Sequence, residues 1–222
     1  KELYAGHRFV FRNLTDGIYL MLWGMFKKMV IADRAGIMVD QVFYNYQDYS
    51  GWQFWVAAFA YAFQMYGDFS GGIDIVRGAA KMFGIEMVDN FERPYFSKDI
   101  PEFWRRWHMT LGTWFRDYLY IPLGGSRKGK VRKQMNTMIV FLCSGLWHGA
   151  AWHYVAWGGL NGLFSVIEDV SRPVRDKIER KLSVDKGAFM YRALQRIVTF
   201  VFIDFTWLFF RASSFRTALQ ML

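Results

Sequence analysis

The stretch that most constrains this chain runs from Gln134 to Ile167, QMNTMIVFLCSGLWHGAAWHYVAWGGLNGLFSVI, and over about 34 residues it contains no Asp, Glu, Lys or Arg. Roughly 18 such residues suffice to propose a membrane span, so the run reads as lipid-buried. Two ionisable side chains, His148 and His153, stand in its middle. An imidazole inside hydrocarbon loses hydration that must be regained from a protein partner or a wet cavity, which makes it a functional-site candidate by default. Basic residues flank the run on both sides. Five of the seven residues from Arg127 to Lys133 are Lys or Arg, and a second cluster from Arg172 through Arg196 is partly offset by Glu168, Asp169, Asp176, Glu179 and Asp185. Lys and Arg beside spans mark the cytoplasmic side, so the two ends prefer the same side. The simplest topology is a hairpin turning near Gly149 to Trp152, each arm short for a full crossing; one long tilted helix is the alternative. Gly145 and Gly149, and again Gly158 and Gly162, stand four apart, a spacing that lets two helices bring bare backbone against a neighbour.

The formal charge of +9 is compatible with nucleic acid, acidic lipid or cytoplasmic loops. Its placement beside the apolar run favours loops over nucleic acid; solvated faces on a soluble domain are the plainer account. Aromatic residues make up 20% of the chain, and such rings gather at bilayer interfaces. Mean hydropathy is only +0.04, as expected if polar connectors dilute apolar spans. Cys143 is the sole cysteine, which excludes an intrachain disulfide and a CxxC site. Lys1 to Arg12 is polar and unlike a cleavable signal. With Lys1 first and TALQML last, the chain is expected to be a fragment.

From Asp16 to Val39 apolar residues recur at helical spacing with Lys27, Lys28 and Arg34 on the other side, predicting an amphipathic helix lying in the interface or partly crossing. Asp40 to Tyr49 is a polar connector. Ser50 to Gly67 is a second uncharged run, just long enough to cross. The glycines and carboxylates of YGDFSGGID are expected to end it, as a re-entrant segment lining a wet cavity or as an interfacial turn. Arg77 to Asn90 reads as a short helix and a connector. Asp99 with Glu102 three residues on forms a capping-box pattern, and Pro101 sits in the first turn. The helix this opens, FWRRWHMTLGTWFRDYLY, places His108 on an aromatic face with Trp104, Trp107, Leu111, Trp114, Phe115 and Tyr118. IPLGGSRKGK stops it. Ile197 to Phe210 is a last apolar run, interrupted by Asp204, which must be paired, protonated or beside water.

A neutral imidazole can take a proton from a hydroxyl nucleophile and return it to a leaving group, chemistry suited to acyl transfer between oxygen and sulfur. No GxSxG motif accompanies His148, which favours direct transfer over a covalent acyl-enzyme. The bland alternative is a core histidine bonded to a backbone carbonyl. His148 and His153 are five apart, with neither HExxH spacing nor a Cys/His zinc pattern, so no metal site is expected. Trp147 is either packing or part of the reaction pocket.

In order along the chain, YGDFSGGIDI, RPYFSKDIPEFWRRWHMTL, WFRDYLYIPLGGSRKGK and SGLWHGAAW resemble the membrane-bound O-acyltransferase superfamily. Within it they are most similar to the branch of the bacterial alginate O-acetylation protein and its peptidoglycan-modifying relatives. The resemblance runs from about Asp16 to Leu222 and implies an all-α fold, polytopic membrane helices in a ring around a central cavity. Residues 1–222 would form a single membrane domain, with further N-terminal spans outside them. It implies His148 of WHG as the catalytic histidine and His108 of FWRRWH as a second functional one. Trp147 and Gly149 match the motif, and Trp107 and Arg116 are expected to line the cavity with them; His153 receives no role. No bound cofactor or metal is implied. The implied substrates are an acyl thioester such as acetyl-CoA, reaching the cavity from the cytoplasm, and hydroxyls of an extracytoplasmic polysaccharide. The implied partners are the lipid bilayer and a periplasmic or extracellular acetyltransferase, at the bacterial cytoplasmic membrane. GGID differs from the tyrosine-containing form expected in the alginate branch, which leaves the polymer open. The teichoic-acid D-alanylation protein is also similar, although IPLGGSRKG fits the alginate-like branch better.

Two rivals come from other classes. In a proton-coupled transporter the histidines would relay protons and Asp68, Asp74 and Asp204 would bind ions; no inverted repeat supports it. In a soluble aromatic-rich binding module the protein would leave the membrane without detergent.

Overall fold

The computed structural model describes residues 9–222. Regular structure among them is helical, with one isolated bridge between Phe91 and Trp107. The chain divides into two compact units, Lys1–Asn90 and Phe91–Leu222.

In the first unit α1 (Phe11–Phe26) continues through a wide π-helical segment (Lys27–Ala32) into α2 (Asp33–Tyr44), and α3 (Trp52–Met82) returns alongside. The close contacts pair Gly17 with Gly78, Gly24 with Gly71 and Gly36 with Gln64, so the arms run antiparallel. A Cβ on Gly24 would stand 2.5 Å from the Gly71 carbonyl oxygen, and one on Gly71 would stand 2.7 Å from that of Gly24. Backbone-to-backbone packing of this kind needs residues without a side chain. The glycines of YGDFSGGID therefore do not end the helix as expected. They lie inside α3, which runs unbroken for 31 residues, about 46 Å at 1.5 Å per residue. Their acidic neighbours are ion-paired: Asp68 meets Lys28 and Asp74 meets Lys27, each at 2.7 Å. Lys27, expected on a polar face, is buried instead. The π-helical segment that it opens coincides with its inward placement, where it also donates to Ser70 Oγ at 2.9 Å.

The second unit begins with a 3-10 turn (Pro94–Phe96) and α4 (Ile100–Arg106). Asp99 caps α4 as the sequence predicts, its Oδ1 accepting from Glu102 N–H at 2.7 Å, with Pro101 in the first turn. The single helix expected through Trp107 and His108 is broken there. Trp107 is extended, His108 adopts a left-handed conformation with φ 45°, and α5 (Met109–Phe115) starts afresh, followed by a π-helical turn (Arg116–Tyr120). The break is held by Glu92 N–H donating to the Arg106 carbonyl at 2.9 Å. Trp107 is buried, stacked on Phe103 at 5.6 Å and edge-on to Phe91 at 5.0 Å.

The uncharged central run is a helical hairpin, α6 (Lys130–His148) and α7 (Trp152–Lys181), turning at residues 149–151. This matches the predicted turn and excludes one long helix. Gly145 and Gly158 sit where the arms touch: a Cβ on Gly145 would collide with the Tyr154 carbonyl oxygen, and one on Gly158 with that of Phe141. α7 extends further than the apolar pattern, through Pro173 and the charged residues to Lys181. α8 (Phe189–Arg211) and α9 (Phe215–Gln220) complete the unit. Trp157 of α7 stacks on Trp207 of α8 at 5.9 Å, and Trp104 of α4 meets Trp157 edge-on at 5.7 Å, so an aromatic cluster fastens α4, α7 and α8. Among the described residues α8 alone is long and apolar enough by hydropathy to cross a membrane. α6 opens on Lys130, Arg132 and Lys133, and α7 closes on charged turns.

Candidate functional site

The two singled-out histidines come to the same place by different routes. His148 ends α6, and His108 occupies the break between α4 and α5. Both line one cavity of about 510 Å³ in the second unit. Both rings are half-buried. His148 is held edge-on by Trp157 at 5.1 Å and Phe210 at 5.1 Å, contacts that orient the ring. The opposite wall is formed by Met109, Leu111 and Phe115 of α5.

Trp107 and Arg116 line this cavity. Arg116 is also bonded to Asp117 at 2.8 Å. Trp147 and Gly149 are not among its walls. Trp147 points outward with 58% of its surface exposed and offers only its edge to His148 at 4.9 Å. Gly149 lies under the Tyr154 ring, where a Cβ would stand 2.5 Å from a ring carbon; it permits the hairpin to close. His153 is buried in the first turn of α7 against Tyr154 at 4.2 Å, away from the cavity lining. Among the described residues no group of three or more His, Cys, Asp or Glu is placed to hold a metal ion.

Sequence reasoning missed Ser144 and Val140, which also line the cavity, and placed Trp104 beside His108 without giving it a part in the site. Ser144 and Val140 lie four and eight residues before His148, the spacing of one helix face, so the stripe was available once α6 was known to end at His148. Trp104 stands on α4 one turn before His108.

A smaller cavity of about 340 Å³ adjoins this one, the two sharing Pro101, Trp104, Arg105 and Phe141. Its remaining wall carries Lys133, Arg172 and Asp169. Lys133 is paired with Asp169 at 2.7 Å, and Gln134 donates to the same carboxylate at 2.8 Å. The histidine chamber is thus bordered, on the charged side of the α6–α7 hairpin, by a vestibule rich in cations. An apolar chamber with two imidazoles beside a cationic vestibule has room to bring an acyl thioester against a hydroxyl.

A family model described as MBOAT, membrane-bound O-acyltransferase family, matches residues 4–212. The chain belongs to the membrane-bound O-acyltransferase family. Its all-helical structure is therefore that of a membrane-integral family. Among its relatives in this family, a peptidoglycan O-acetyltransferase from Helicobacter pylori is 39% identical over 96% of this chain and 39% of its own length. A probable alginate O-acetylase from Pseudomonas putida is 37% identical over 94% of this chain and 41% of its own length. A teichoic acid D-alanyltransferase from Streptococcus thermophilus is 36% identical over 50% of this chain and 28% of its own length. The chain spans about two-fifths of the length of the first two relatives.

Proposed function

We propose that this O-acyltransferase-family chain carries the reaction chamber of a multi-pass enzyme of the bacterial cytoplasmic membrane. The enzyme moves an acetyl or similarly short acyl group from a cytoplasmic thioester toward hydroxyls of an extracytoplasmic polysaccharide, alginate-like or peptidoglycan. The supporting observation is the convergence of His108 and His148 on one chamber that adjoins a cationic vestibule. The identities to a peptidoglycan O-acetyltransferase and an alginate O-acetylase supply the acceptor class. Helices arranged as a ring around this chamber would let donor and acceptor arrive from opposite sides.

In this reading His148 is the general base. Its neutral nitrogen takes the proton as the hydroxyl oxygen attacks the thioester carbonyl. The tetrahedral intermediate collapses, the carbon–sulfur bond breaks, and the imidazolium returns its proton to the leaving thiolate. His108 assists by hydrogen-bonding to the reacting oxygen or by positioning the acceptor. Arg105, Lys133 and Arg172 at the vestibule attract an anionic donor such as acetyl-CoA or a carrier-bound thioester. No residue is assigned to a metal or a bound cofactor. An extracytoplasmic partner acetyltransferase would pass the group to the final polymer.

Asp68 and Asp74 are engaged with Lys28 and Lys27, which leaves the transporter reading without two of its three ion ligands. The test is His148→Ala in the full-length protein, with ester released from the wall or secreted polymer quantified by mild alkaline hydrolysis. O-acetyl content should fall to background while the protein stays in the membrane fraction. Loss of D-alanyl ester instead would move the acceptor to teichoic acid, and normal ester content would reject the assignment.

A further inference from the structure

The second unit holds another cavity, of about 520 Å³, whose walls carry Arg93, Lys98, Arg106, Arg192 and Arg196 against a single carboxylate, Glu102. These cations come from separate parts of the fold: Arg93 precedes the 3-10 turn, Lys98 precedes α4, Arg106 ends α4, and Arg192 and Arg196 lie one turn apart on α8. Glu102 is already engaged, its Oε1 accepting from Arg106 at 2.7 Å and its Oε2 from the Lys98 backbone N–H at 2.9 Å. Besides the Arg106–Glu102 pair, four cations thus line the cavity, of which Lys98 and Arg192 also border the neighbouring cavity that carries Asp99, Asp176 and Glu179. Like charges at the spacing of Arg192 and Arg196 repel along a helix, yet both face the same space. Arg192 is anchored by donating to the Gly187 carbonyl. Arg93 is held in a left-handed conformation, φ 47°.

The excess is local. At the adjacent α7–α8 connector the charges are matched: Lys186 bonds Asp176 and Glu179, each at 2.7 Å. Those bonds, to Asp176 first, hold its ammonium well above the ordinary lysine range. Nor is the cavity a branch of the histidine chamber. Glu102 and Arg106 face it from one side of α4, while Pro101, Trp104 and Arg105 face the histidines from the other.

We propose that this cavity is a phosphate-binding site, taking the phosphate group of an anionic phospholipid headgroup or of a soluble phosphate ester. Guanidinium forks bind phosphate oxygens in pairs, and four arginines with a lysine suit a tetrahedral, multiply charged anion better than a lone carboxylate. The volume falls within the usual range of ligand sites. Arg196 directly precedes the apolar part of α8, where Ile197, Val198 and Val201 are exposed, and Phe96 lines the cavity with 63% of its surface exposed. Phosphate and aliphatic groups therefore both find partners there. A bound anion would neutralise the mutual repulsion and tie α4, which Trp107 directly follows, to α8, which carries its partner Trp207. The site stands on the cations and the cavity, independently of the acyl-transfer reading.

The experiment uses purified full-length protein and measures binding without turnover. One arm counts phosphatidylglycerol retained from nanodiscs by native mass spectrometry; the other titrates glycerol 3-phosphate calorimetrically. R192Q/R196Q should weaken whichever probe binds by about tenfold or more, since two charge-assisted anchors are lost. R192K/R196K, which keeps the charge, should retain most of the binding and shows that the pair tolerates substitution. K177Q/R180Q, outside the cavity, should bind like the parent. Retention of the lipid alone assigns the headgroup, and binding of glycerol 3-phosphate assigns a soluble ester. Absence of binding in both arms, or equal binding by R192Q/R196Q, overturns the proposal.

Discussion

Asp74→Asn tests the reasoning about the first unit at its most sensitive point. Lys27 Nζ lies 2.7 Å from Asp74 Oδ2, with side-chain exposures of 9% and 14%. At an effective dielectric near 20, two unit charges at that separation attract by about 6 kcal/mol, before several kcal/mol of desolvation per ion are set against it. The pair as a whole is therefore worth little. Removing the carboxylate charge leaves an ammonium facing neutral groups, the Asn amide with Ser70 Oγ and the Tyr66 ring 5.9 Å away, which should cost about 3–5 kcal/mol. Replacing both, as K27M/D74L, should recover most of that loss, giving a coupling of several kcal/mol. Unfolding of the full-length protein in mixed micelles, followed by tryptophan fluorescence, measures each corner of the cycle. A cost below about 1 kcal/mol for Asp74→Asn would place the pair in water and refute the buried-network account.

Further outcomes follow from the second unit. His108→Ala should lower kcat by about 10²- to 10⁴-fold with the protein still folded, measured as ester transfer in membranes; unchanged kcat would remove His108 from the chemistry. His108→Gly should lose as much activity yet unfold later than His108→Ala by about 1–2 kcal/mol, because glycine accepts φ 45° without strain. Gly158→Val should destabilise by about 1–3 kcal/mol, since its Cβ would meet the Phe141 backbone. Gly159→Ala, whose Cβ finds only the Leu142 side chain at 3.6 Å, should be neutral or stabilising in the same unfolding assay. Asp99→Ala should cost about 1 kcal/mol through loss of the α4 cap.

The sequence made local chemistry legible wherever the signal was a side chain acting on nearby backbone. The Asp99 cap, the turn at residues 149–151 and the stop after Tyr120, where Gly124 and Gly125 take φ 105° and 55°, are of that kind. It misled where a residue type has two opposite uses. Gly67, Gly71 and Gly72 look like helix breakers, and in α3 two of them are contact points, Gly71 against α1 and Gly67 against the π-helical segment that follows it. Helical periodicity ran straight through Trp107 and His108, since nothing local opposes a helix there. The break depends on Phe91 and Glu92, a turn and more of chain away, and on Trp207 of α8. Periodicity cannot register such tertiary partners.

That break explains how two histidines 40 residues apart in sequence come to share a chamber. Had residues 100–120 formed one helix, Trp107 and His108 would point about 100° apart from a continuous surface, and the chain could not change direction between them. The extended Trp107 plunges into the aromatic cluster, and the left-handed His108 turns the backbone so that α5 leaves at a new angle and closes the wall facing α6. A non-glycine residue held this way costs of order 1–3 kcal/mol. Burying the Trp107 ring among Phe91, Tyr95, Phe103 and Trp207 contributes about 1.5–3 kcal/mol or more for a large apolar side chain, enough to offset the strain. On the other wall His148 sits where α6 stops, its ring fixed between Trp157 and Phe210. Both imidazoles are thus placed at helix ends, His148 beside Trp157 and His108 directly after the buried Trp107. Truncation of Trp107 or Trp157 should therefore displace a histidine before it unfolds the domain.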